Sequence, residues 1–435
     1  MTSPFTKTLP SGPESSATAQ MQEWLEHPLE MMDQCVHKYG DTFTIQLGSL
    51  GTTVFFSHPE AIKKIFSLSP RLFECHQYNE TYRYLMGDNA LFLQDGMLHK
   101  QKRRLVMPAF HGERIAKYAQ LICQITKQVT QQWSVDEAFC VRPFMHEIAL
   151  QVILQTVFGS QEATVTKLLS RLFKTQIMRD FGTWSPWARL GQLRSQISQL
   201  IFAEIRRRRS NPDVNSPDVL NLLLSANYED GEQLSDEEIR DHIFSFLVAG
   251  VDPTGVGLTW SLYWLHQKND VKNKVQQELA SLGDNPDPLA IAKLPYLTAV
   301  CQESLRICSV LATPSGRKLT EDVEIQGQTM PAGTTLVPCI YLLHRREDIY
   351  PQPNEFRPER FLEHRFSANE YIPFGGGNRI CIGAALAKLE MNLVLATILS
   401  DWELEDASEE KITTVRHGTV LAPSEQMKLI CKNKK

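Results

Sequence analysis

A glycine-rich loop near the C-terminus carries the residue with the most distinctive chemistry in the chain. The loop runs from Phe374 to Gly383, reads Phe-Gly-Gly-Gly-Asn-Arg-Ile-Cys-Ile-Gly, and presents Cys381 at the start of a predicted helix. A thiolate at a helix N-terminus is stabilised by the helix dipole and by free backbone N–H groups. Arg379 adds a planar cation that matches a carboxylate. The loop therefore indicates a sulfur-ligated metal or cofactor, with a buried structural cysteine as the alternative.

The glycines of this loop favour a large planar ligand. Residues 375–377 and Gly383 lack side chains, which leaves room for such a ligand to approach the backbone. A cysteine thiolate is one of the axial ligands that proteins give to haem iron, where it favours cleavage of the O–O bond. The pattern predicts a haem site with Cys381 as its axial ligand.

The loop resembles the haem-binding signature of the cytochrome P450 family, Phe-x-x-Gly-x-Arg-x-Cys-x-Gly, and fills every defined position. Two further stretches resemble family motifs in the family's order: Glu303-Ser304-Leu305-Arg306, and the segment 356–361 that contains Arg360. In the family these charges are buried under the haem, whereas a surface pair on a helix is the alternative. The resemblance runs from about residue 21 to 428. It implies a mainly α fold, a helical triangular prism with a small β-rich region, and haem b (iron protoporphyrin IX) as the cofactor.

A basic stretch upstream is expected to contact the haem propionates. His99 and Arg103 lie four residues apart at the start of a predicted helix and share one face. The resemblance implies that they hold a propionate, with His99 in the place of the more usual tryptophan, and that Arg317 is another partner. The alternatives are a solvated helix face and an ordinary turn arginine. The expected cofactor-binding residues are His99, Arg103, Arg317, Phe374, Arg379, Cys381 and Gly383, with Cys381 as the metal ligand.

A long predicted helix from Asp236 to about Gln267 carries the second motif. Ser235 followed three residues later by glutamate has the form of a capping box, which marks the start of this helix. Its middle resembles the family's oxygen-binding segment, in which an acid and a neighbouring hydroxyl relay protons to dioxygen. Asp252 fills the acid position, but Pro253 stands where the hydroxyl is usual. The expected catalytic residues are Ala249, Gly250, Asp252, Pro253 and Thr254.

Pro253 leaves two hypotheses open for the proton relay. Proline has no N–H, so Pro253 is expected to free the carbonyl of Ala249, to kink the helix and to open a groove beside Gly250 for water or dioxygen. Thr254 lies about 100° further round the helix and could bond the carbonyl of Gly250. In the alternative, Pro253 only bends the helix and water relays the protons.

Helices and short strands must position these residues. Thr42–Leu47 and Thr53–Phe56 predict a hairpin, and 75–92 predicts a long irregular loop. The β-rich stretch 412–431 contains a turn at His417 that is expected to point toward the haem pocket. Residues 1–20 are expected to be disordered or extended, and 21–435 to form one domain. Further helices are predicted at 21–39, 58–66, 112–134, 144–158, 163–182, 189–209 and 290–309.

The composition is ordinary for a soluble globular enzyme, with 42% hydrophobic residues, 22% charged residues and a net charge of −5. This charge gives no reason to expect a nucleic-acid partner. Nine cysteines without metal-type spacing indicate reduced thiols in a cytoplasm. No signal peptide is evident, and no run approaches the roughly 18 apolar residues of a spanning helix. We therefore expect a soluble, cytoplasmic protein of bacterial type without a transmembrane anchor, acting as a monomer.

The resemblance implies an oxidoreductase that uses dioxygen and electrons from a ferredoxin or flavodoxin with its NAD(P)H reductase. Lys100, Lys102, Arg103 and Arg104 are expected to present charge to this partner. Because the pattern is closest to cyanobacterial members, the substrate is expected to be a lipophilic or aromatic molecule of secondary metabolism.

Several reactions remain open for this substrate. Hydroxylation and oxidative coupling of the phenol or indole type are equally expected. The alternatives are a fatty-acid or terpene hydroxylase, a peroxide-driven peroxygenase and a haem sensor without turnover. Peroxide-using relatives typically place arginine before the proline, so Asp252 counts against the peroxygenase.

Overall fold

The computed structural model describes residues 9–159, 168, 171, 187–212 and 218–434, and these are mainly helical. The predicted helix at 163–182 lies outside the described residues. The helices that precede the long core helix are α1 (Ala17–Glu26), α2 (Pro28–Tyr39), α3 (Pro59–Phe66), α4 (Arg83–Met86), α5 (Gly96–Val106), α6 (Glu113–Lys117), α7 (Ala119–Thr130), α8 (Val141–Phe158), α9 (Trp187–Ser210) and α10 (Val219–Ser225). The long core helix and those that follow are α11 (Asp236–Gln267), α12 (Asn269–Ala280), α13 (Pro288–Ile291), α14 (Pro295–Ile307), α15 (Ile340–Leu343), α16 (Arg360–Glu363) and α17 (Ala384–Asp401).

The N-terminal helix predicted as one element at 21–39 is two helices, and the first begins earlier than expected. Ser16 caps α1 by accepting a hydrogen bond from the backbone N–H of Ala19, so residues 17–20 are helical. Pro28 has no N–H and stands at the first position of α2, which ends α1 and starts a new helix. Pro295 likewise starts a new helix, so the single helix predicted at 290–309 is instead the short α13 followed by α14.

Within the described residues, the short strands form four small sheets. The five-stranded sheet has the order β1-β2-β8-β5-β3, in which only the β2–β8 pair is parallel. The predicted hairpin is its β1–β2 edge. The other sheets are β4-β12-β9 and the hairpins β6–β7 and β10–β11. The strands are β1 (Thr42–Gln46), β2 (Thr52–Phe56), β3 (Phe73–Glu74), β4 (Ala138–Cys140), β5 (Arg317–Leu319), β6 (Val323–Ile325), β7 (Gln328–Met330), β8 (Thr335–Pro338), β9 (Trp402–Asp406), β10 (Thr414–His417), β11 (Val420–Pro423) and β12 (Lys428–Lys434).

Helix α11 is the centre of the core and begins where the sequence predicted. The side chain of Ser235 accepts from the N–H of Glu238, and the carboxylate of Glu238 accepts from the N–H of Ser235, which completes the capping box. Most of its residues are buried, and it packs against α8, α14 and α17. It is long and apolar enough to cross a membrane, but 78% of its apolar window is buried inside the protein. A helix surrounded in this way is a core helix, which can hold reacting groups in fixed positions.

Candidate active site

The cysteine loop is closed by one backbone hydrogen bond and shaped by its glycines. The N–H of Cys381 donates to the carbonyl of Phe374 at 2.9 Å. Gly375 and Gly377 adopt φ of 69° and 63°, the left-handed region in which a side chain is strained. A Cβ at Gly376 would lie 2.3 Å from the ring of Phe66. The expectation that residues 375–377 make room for a ligand is therefore wrong for Gly376 and Gly377, which make room for Phe66.

Gly383 has the open surroundings that a planar ligand requires. A Cβ added there would meet no atom within 4 Å apart from its chain neighbours, and its φ of −87° is ordinary. This glycine immediately precedes α17 and follows Cys381 by two residues. The space beside the cysteine is therefore on the Gly383 side of the loop.

Cys381 is accessible at its surface, although enough protein surrounds it to desolvate the thiol. Burial raises the pKa of its thiol, while the backbone N–H groups of Gly383 and Ala384 and the charge of Arg103 lower it, and burial prevails. The helix N-terminus thus favours the thiolate, as expected from the sequence, but by less than burial disfavours it. A bound metal cation deprotonates a coordinating thiol by its own charge.

A second accessible surface lies in the middle of α11. Ala249 is exposed and Pro253, one turn further, is half-buried, whereas Val248, Val251 and Asp252 are buried. Helix α11 continues through Pro253 without interruption. Residues four apart share a face, so Ala249 and Pro253, with half-buried Gly250 between them, present one open strip in the otherwise buried middle of the helix.

Thr254 does not make the predicted contact with Gly250. The hydroxyl is buried, but the hydrogen bonds of the described residues include none from Thr254 to that carbonyl. Other hydroxyls of α11 do bond the carbonyl four residues earlier, including Thr259 to Gly255 at 2.6 Å. The hypothesis that Thr254 occupies the carbonyl beside Pro253 is therefore wrong in this structure.

Asp252 is held by two histidines that the sequence did not associate with it. The Nε2 of His146, on α8, lies 2.8 Å from the Oδ1 of Asp252, and the Nδ1 of His417, at the end of β10, lies 3.7 Å from the same oxygen. Burial raises the pKa of Asp252, but the two histidines lower it by more, so its pKa is below the usual value. The turn at His417 had been expected to point toward this region. His146 carried no sequence signal, because it lies 106 residues from Asp252.

Three residues predicted to bind propionates, His99, Arg103 and Arg317, form one cluster with Arg379. On α5, His99 is buried, and burial together with the charges of Arg379 and Arg103 lowers its pKa to about 3, so its imidazole is neutral at pH 7. The guanidinium of Arg317 lies over the rings of Phe66 and Phe73 and donates to the carbonyl of Gly376 at 3.1 Å.

Part of this cluster is unsatisfied. Among the described residues, the Nε and Nη1 of Arg317 and the Nε of Arg379 have no hydrogen-bond partner although they are buried. Such donors are costly unless an acceptor reaches them. Arg379 also binds Asp95, which itself accepts from the backbone N–H of Cys75 at 2.8 Å. Sequence reasoning missed Asp95, although it directly precedes α5.

These residues fit a haem. The free donors of Arg317 and Arg379, with neutral His99 beside them, would hold its two carboxylates, and the accessible thiol of Cys381 would hold its iron beside the open space at Gly383. The individual roles remain proposals, with Arg103 assigned to the same carboxylates and Phe374 to the loop that carries the thiol.

The predicted charge network is present and fully buried. Glu303 accepts from the Nε and Nη2 of Arg306 at 2.7 and 2.8 Å and from the Nε of Arg360 at 3.1 Å. It also accepts from the N–H of Arg357, and the remaining donors of Arg306 reach the carbonyls of residues 344, 353 and 355. The alternative of a surface pair is wrong. This network fixes the segment 351–360 against α14.

The basic face of α5 differs from the expected docking surface. Lys102 is buried, with its Nζ 3.1 Å from Glu238 and 3.2 Å from the side-chain oxygen of Asn89. Arg103 faces Cys381 and Arg379. Only Lys100 and Arg104 are exposed, and Arg104 is paired with Glu229. The prediction that all four cations face a partner is wrong for Lys102, which ties α5 to the first turn of α11.

A helical fold with a haem-fitting thiol loop defines a haem-thiolate protein, and the comparisons with known proteins agree. Residues 10–431 match the family Cytochrome P450. The chain is 37% identical over 409 residues to a putative cytochrome P450 135B1 of Mycobacterium tuberculosis. The aligned region covers 91% of this chain and 85% of the relative. It is 30% identical to a putative cytochrome P450 135A1 of the same organism, over 99% of this chain and 98% of the relative.

Two solved structures have the same fold. Retinoic acid-bound cyanobacterial CYP120A1 superposes on this chain with a TM-score of 0.88 at 23% identity. The superposition covers 99% of this chain and 100% of the CYP120A1 chain. The heme domain of cytochrome P450DA has a TM-score of 0.82 at 22% identity, with 98% of both chains covered. The protein therefore belongs to the cytochrome P450 family. It has the family's mainly α fold, it is an oxidoreductase that binds haem b, and it acts on a small molecule with electrons from a redox partner.

Proposed function

We propose that this protein oxidises a lipophilic or aromatic small molecule of secondary metabolism, by hydroxylation or by oxidative coupling of the phenol or indole type. The observation that supports turnover is the acid on α11. Asp252 is buried beside the open strip of Ala249 and Pro253 and has a hydrogen-bonded histidine behind it. A sensor that only binds haem has no need of a held acid at this place.

Each of these residues has a separate role in the proposed reaction. Haem, when bound, supplies the activation of dioxygen. Cys381 provides the sulfur ligand, and Arg317 and Arg379 fix the carboxylates of the cofactor. Asp252 holds a carboxylate at the distal wall, where its Oδ1 accepts and returns protons. Ala249 and Pro253 provide an apolar surface beside it. Since Pro253 has no hydroxyl, Asp252 is the side chain of this segment assigned to proton transfer.

We propose a ferredoxin or a flavodoxin with its NAD(P)H reductase as the electron donor. Lys100 remains exposed on α5 and fits an acidic partner, whereas exposed Arg104 is already paired with Glu229. We also propose that the protein acts as a soluble cytoplasmic monomer. All nine cysteines are free, which fits a reducing compartment.

A binding panel tests the proposed substrate class. Terpenes, fatty acids, phenols and indoles are added to the oxidised holoenzyme, and the shift of the Soret band is recorded with each. We expect a saturable shift with a phenol, an indole or a terpene, and product from the same compound when NADPH, a ferredoxin and its reductase are supplied. Conversion with peroxide alone at an equal rate would instead establish the peroxygenase.

Asp252→Asn is expected to lower product formation about 10²-fold, the lower range of general acid–base catalysis. The amide keeps the shape of the carboxylate but cannot transfer its proton. The measurement is product formed per NADPH consumed, with released peroxide followed in parallel.

Thr254→Ala is the matched control, since Thr254 lies two residues further on and makes no bond to Gly250. It should behave as the parent. Uncoupled turnover in Thr254→Ala with normal turnover in Asp252→Asn would assign the relay to the hydroxyl. Pro253→Thr should retain haem and change the ratio of product to peroxide without abolishing activity.

A further inference from the structure

His146 occupies a position that neither the motifs nor the proposed function assigns. It lies on α8, which packs along α11. Its two ring nitrogens have different neighbours: Nδ1 is 2.9 Å from the backbone carbonyl oxygen of Arg142, and Nε2 is 2.8 Å from the Oδ1 of Asp252. Both distances are those of good hydrogen bonds. The imidazole is therefore held from both sides.

These two contacts fix the number of protons that the pair holds. A carbonyl oxygen only accepts, so the Nδ1 of His146 must carry a hydrogen. The contact between Nε2 and the Oδ1 of Asp252 requires a second hydrogen between these two atoms, because a bare nitrogen and a carboxylate oxygen cannot bond each other. His146 and Asp252 together thus hold one proton more than a neutral imidazole and a carboxylate.

Polar side chains on α8 near this pair extend toward the protein surface. Arg142 lies one helical turn before His146 on α8, and its Nη2 is 3.4 Å from the Oε1 of Glu425. The side chain of Glu425 is 58% exposed, that of Arg142 14%, that of His146 19% and that of Asp252 9%. The imidazole of His146 is therefore partly open to solvent, whereas Asp252 is nearly enclosed.

Two other titratable groups face Asp252 from neighbouring elements. His417 approaches from the β10–β11 hairpin at 3.7 Å, which is within ion-pair distance but longer than a hydrogen bond. Tyr82 faces the same carboxylate from the 80–82 turn. The hairpin is fixed to α11 because the indole N–H of Trp260 donates to the carbonyl of Leu421 at 2.9 Å. The contact from His146 to Asp252, at 2.8 Å, is shorter than the 3.7 Å contact from His417.

We propose that His146 is a positioning residue that stores and resupplies the proton which Asp252 delivers to the distal side of the active site. The inference rests on the proposed function. A proton passes from the Nε2 of His146 to the Oδ1 of Asp252, leaving a neutral imidazole and a carboxylic acid, with no change in electrons. After Asp252 has released this proton, the Nε2 of His146 regains one from solvent water, which reaches the partly exposed ring directly. This device takes the place of the hydroxyl that Pro253 lacks.

The proton count is tested without turnover. Histidines labelled with ¹⁵N are observed by NMR in the reduced, carbon-monoxide-bound holoenzyme, which is diamagnetic, at pH 7. We expect hydrogen on both ring nitrogens of His146 in the parent, and on Nδ1 alone in Asp252→Asn. Hydrogen on only one nitrogen of His146 in the parent would overturn the proposal.

His266 is the internal reference for this measurement. Its Nδ1 lies 2.7 Å from the carbonyl of Leu262, the same contact four residues back, while its Nε2 has no hydrogen-bond partner among the described residues. Burial lowers the pKa of His266 to about 4, so it is neutral at pH 7 and should carry one hydrogen in every variant.

The role in turnover is tested with His146→Gln and His146→Leu. Glutamine can still donate a hydrogen bond to Asp252 but cannot transfer a proton. We therefore expect both variants to bind haem and to lose about 10²-fold in product per NADPH, with a matching rise in peroxide. If His146→Gln forms as much product per NADPH as the parent, His146 has only a structural role and the proposal is overturned.

His111→Gln is the control for replacing a histidine. Its Nδ1 lies 3.2 Å from the carbonyl of Met107, but it is exposed and stands away from Asp252. It should match the parent. If the parent itself forms no product with any compound of the panel, the proposed function fails, and the NMR result still decides where the proton lies.

Discussion

Cys381→Ala is expected to abolish the thiolate-type Soret band of the reduced, carbon-monoxide-bound protein. The position of that band reports the ligand opposite carbon monoxide, and sulfur and nitrogen ligands give clearly different spectra. Cys381 carries the accessible thiol at the start of α17, in the loop that fits the cofactor. Removing its sulfur should also abolish turnover, because no other group of the loop can ligate iron through sulfur. The measurement is the difference spectrum on addition of carbon monoxide, together with product per NADPH.

Two further variants make this result specific. Cys123→Ser replaces a half-buried cysteine on α7 and should keep the parent spectrum. Cys381→His offers nitrogen in place of sulfur and should give the spectrum of a histidine-ligated haem. A parent-like band in Cys381→Ala, or a histidine-type band in the freshly purified parent, would show that the ligand lies elsewhere.

Glu303→Ala is expected to yield little folded holoprotein. Its carboxylate is the shared partner of the buried guanidinium groups of Arg306 and Arg360. Removing one member of a buried charge network leaves uncompensated charge, at a cost of roughly 3–5 kcal/mol. That cost is a large part of the stability of an ordinary protein. The measurements are haem content after purification and the urea midpoint of unfolding.

A surface pair with the same spacing provides the control. Glu60 and Lys63 lie three residues apart on α3, with side chains 68% and 60% exposed, and exposed pairs contribute about 0–1 kcal/mol. Glu60→Ala should keep the haem content and nearly the same midpoint as the parent. If Glu303→Ala fails to fold, Glu303→Gln gives a graded measure, because the amide still accepts hydrogen bonds. Parent-like haem content and midpoint in both Glu303 variants would contradict the structural role.

The features that the sequence predicted correctly are those with a local pattern. The capping box at Ser235 and Glu238 needs only four residues, and the two strands of the β1–β2 hairpin are short stretches that alternate or are rich in β-forming residues. The Glu303 network was predicted because two motifs in the right order implied it. The mainly α fold followed from the same resemblance.

The features that the sequence missed depend on contacts between distant segments. His146 reaches Asp252 only because α8 packs along α11. Lys102 looked like part of a solvated face, but Glu238 and Asn89 meet it in the interior. Gly376 looked like a place for a ligand, yet the ring of Phe66 fills the space beside it. A pattern shows which side chains are available, whereas packing decides what stands next to them.

The placement of Arg317 has a consequence for artificial cofactors. Its guanidinium is fixed between the rings of Phe66 and Phe73, with Nε and Nη1 buried and without a partner in the described part of the chain. On the proposed assignment, these donors select a porphyrin by its carboxylates and leave the choice of metal to Cys381. A manganese or cobalt porphyrin with both carboxylates free should therefore be incorporated, whereas its dimethyl ester would leave a buried cation unsatisfied and should be rejected. The site should therefore accept porphyrins with different metals, provided that their carboxylates are free.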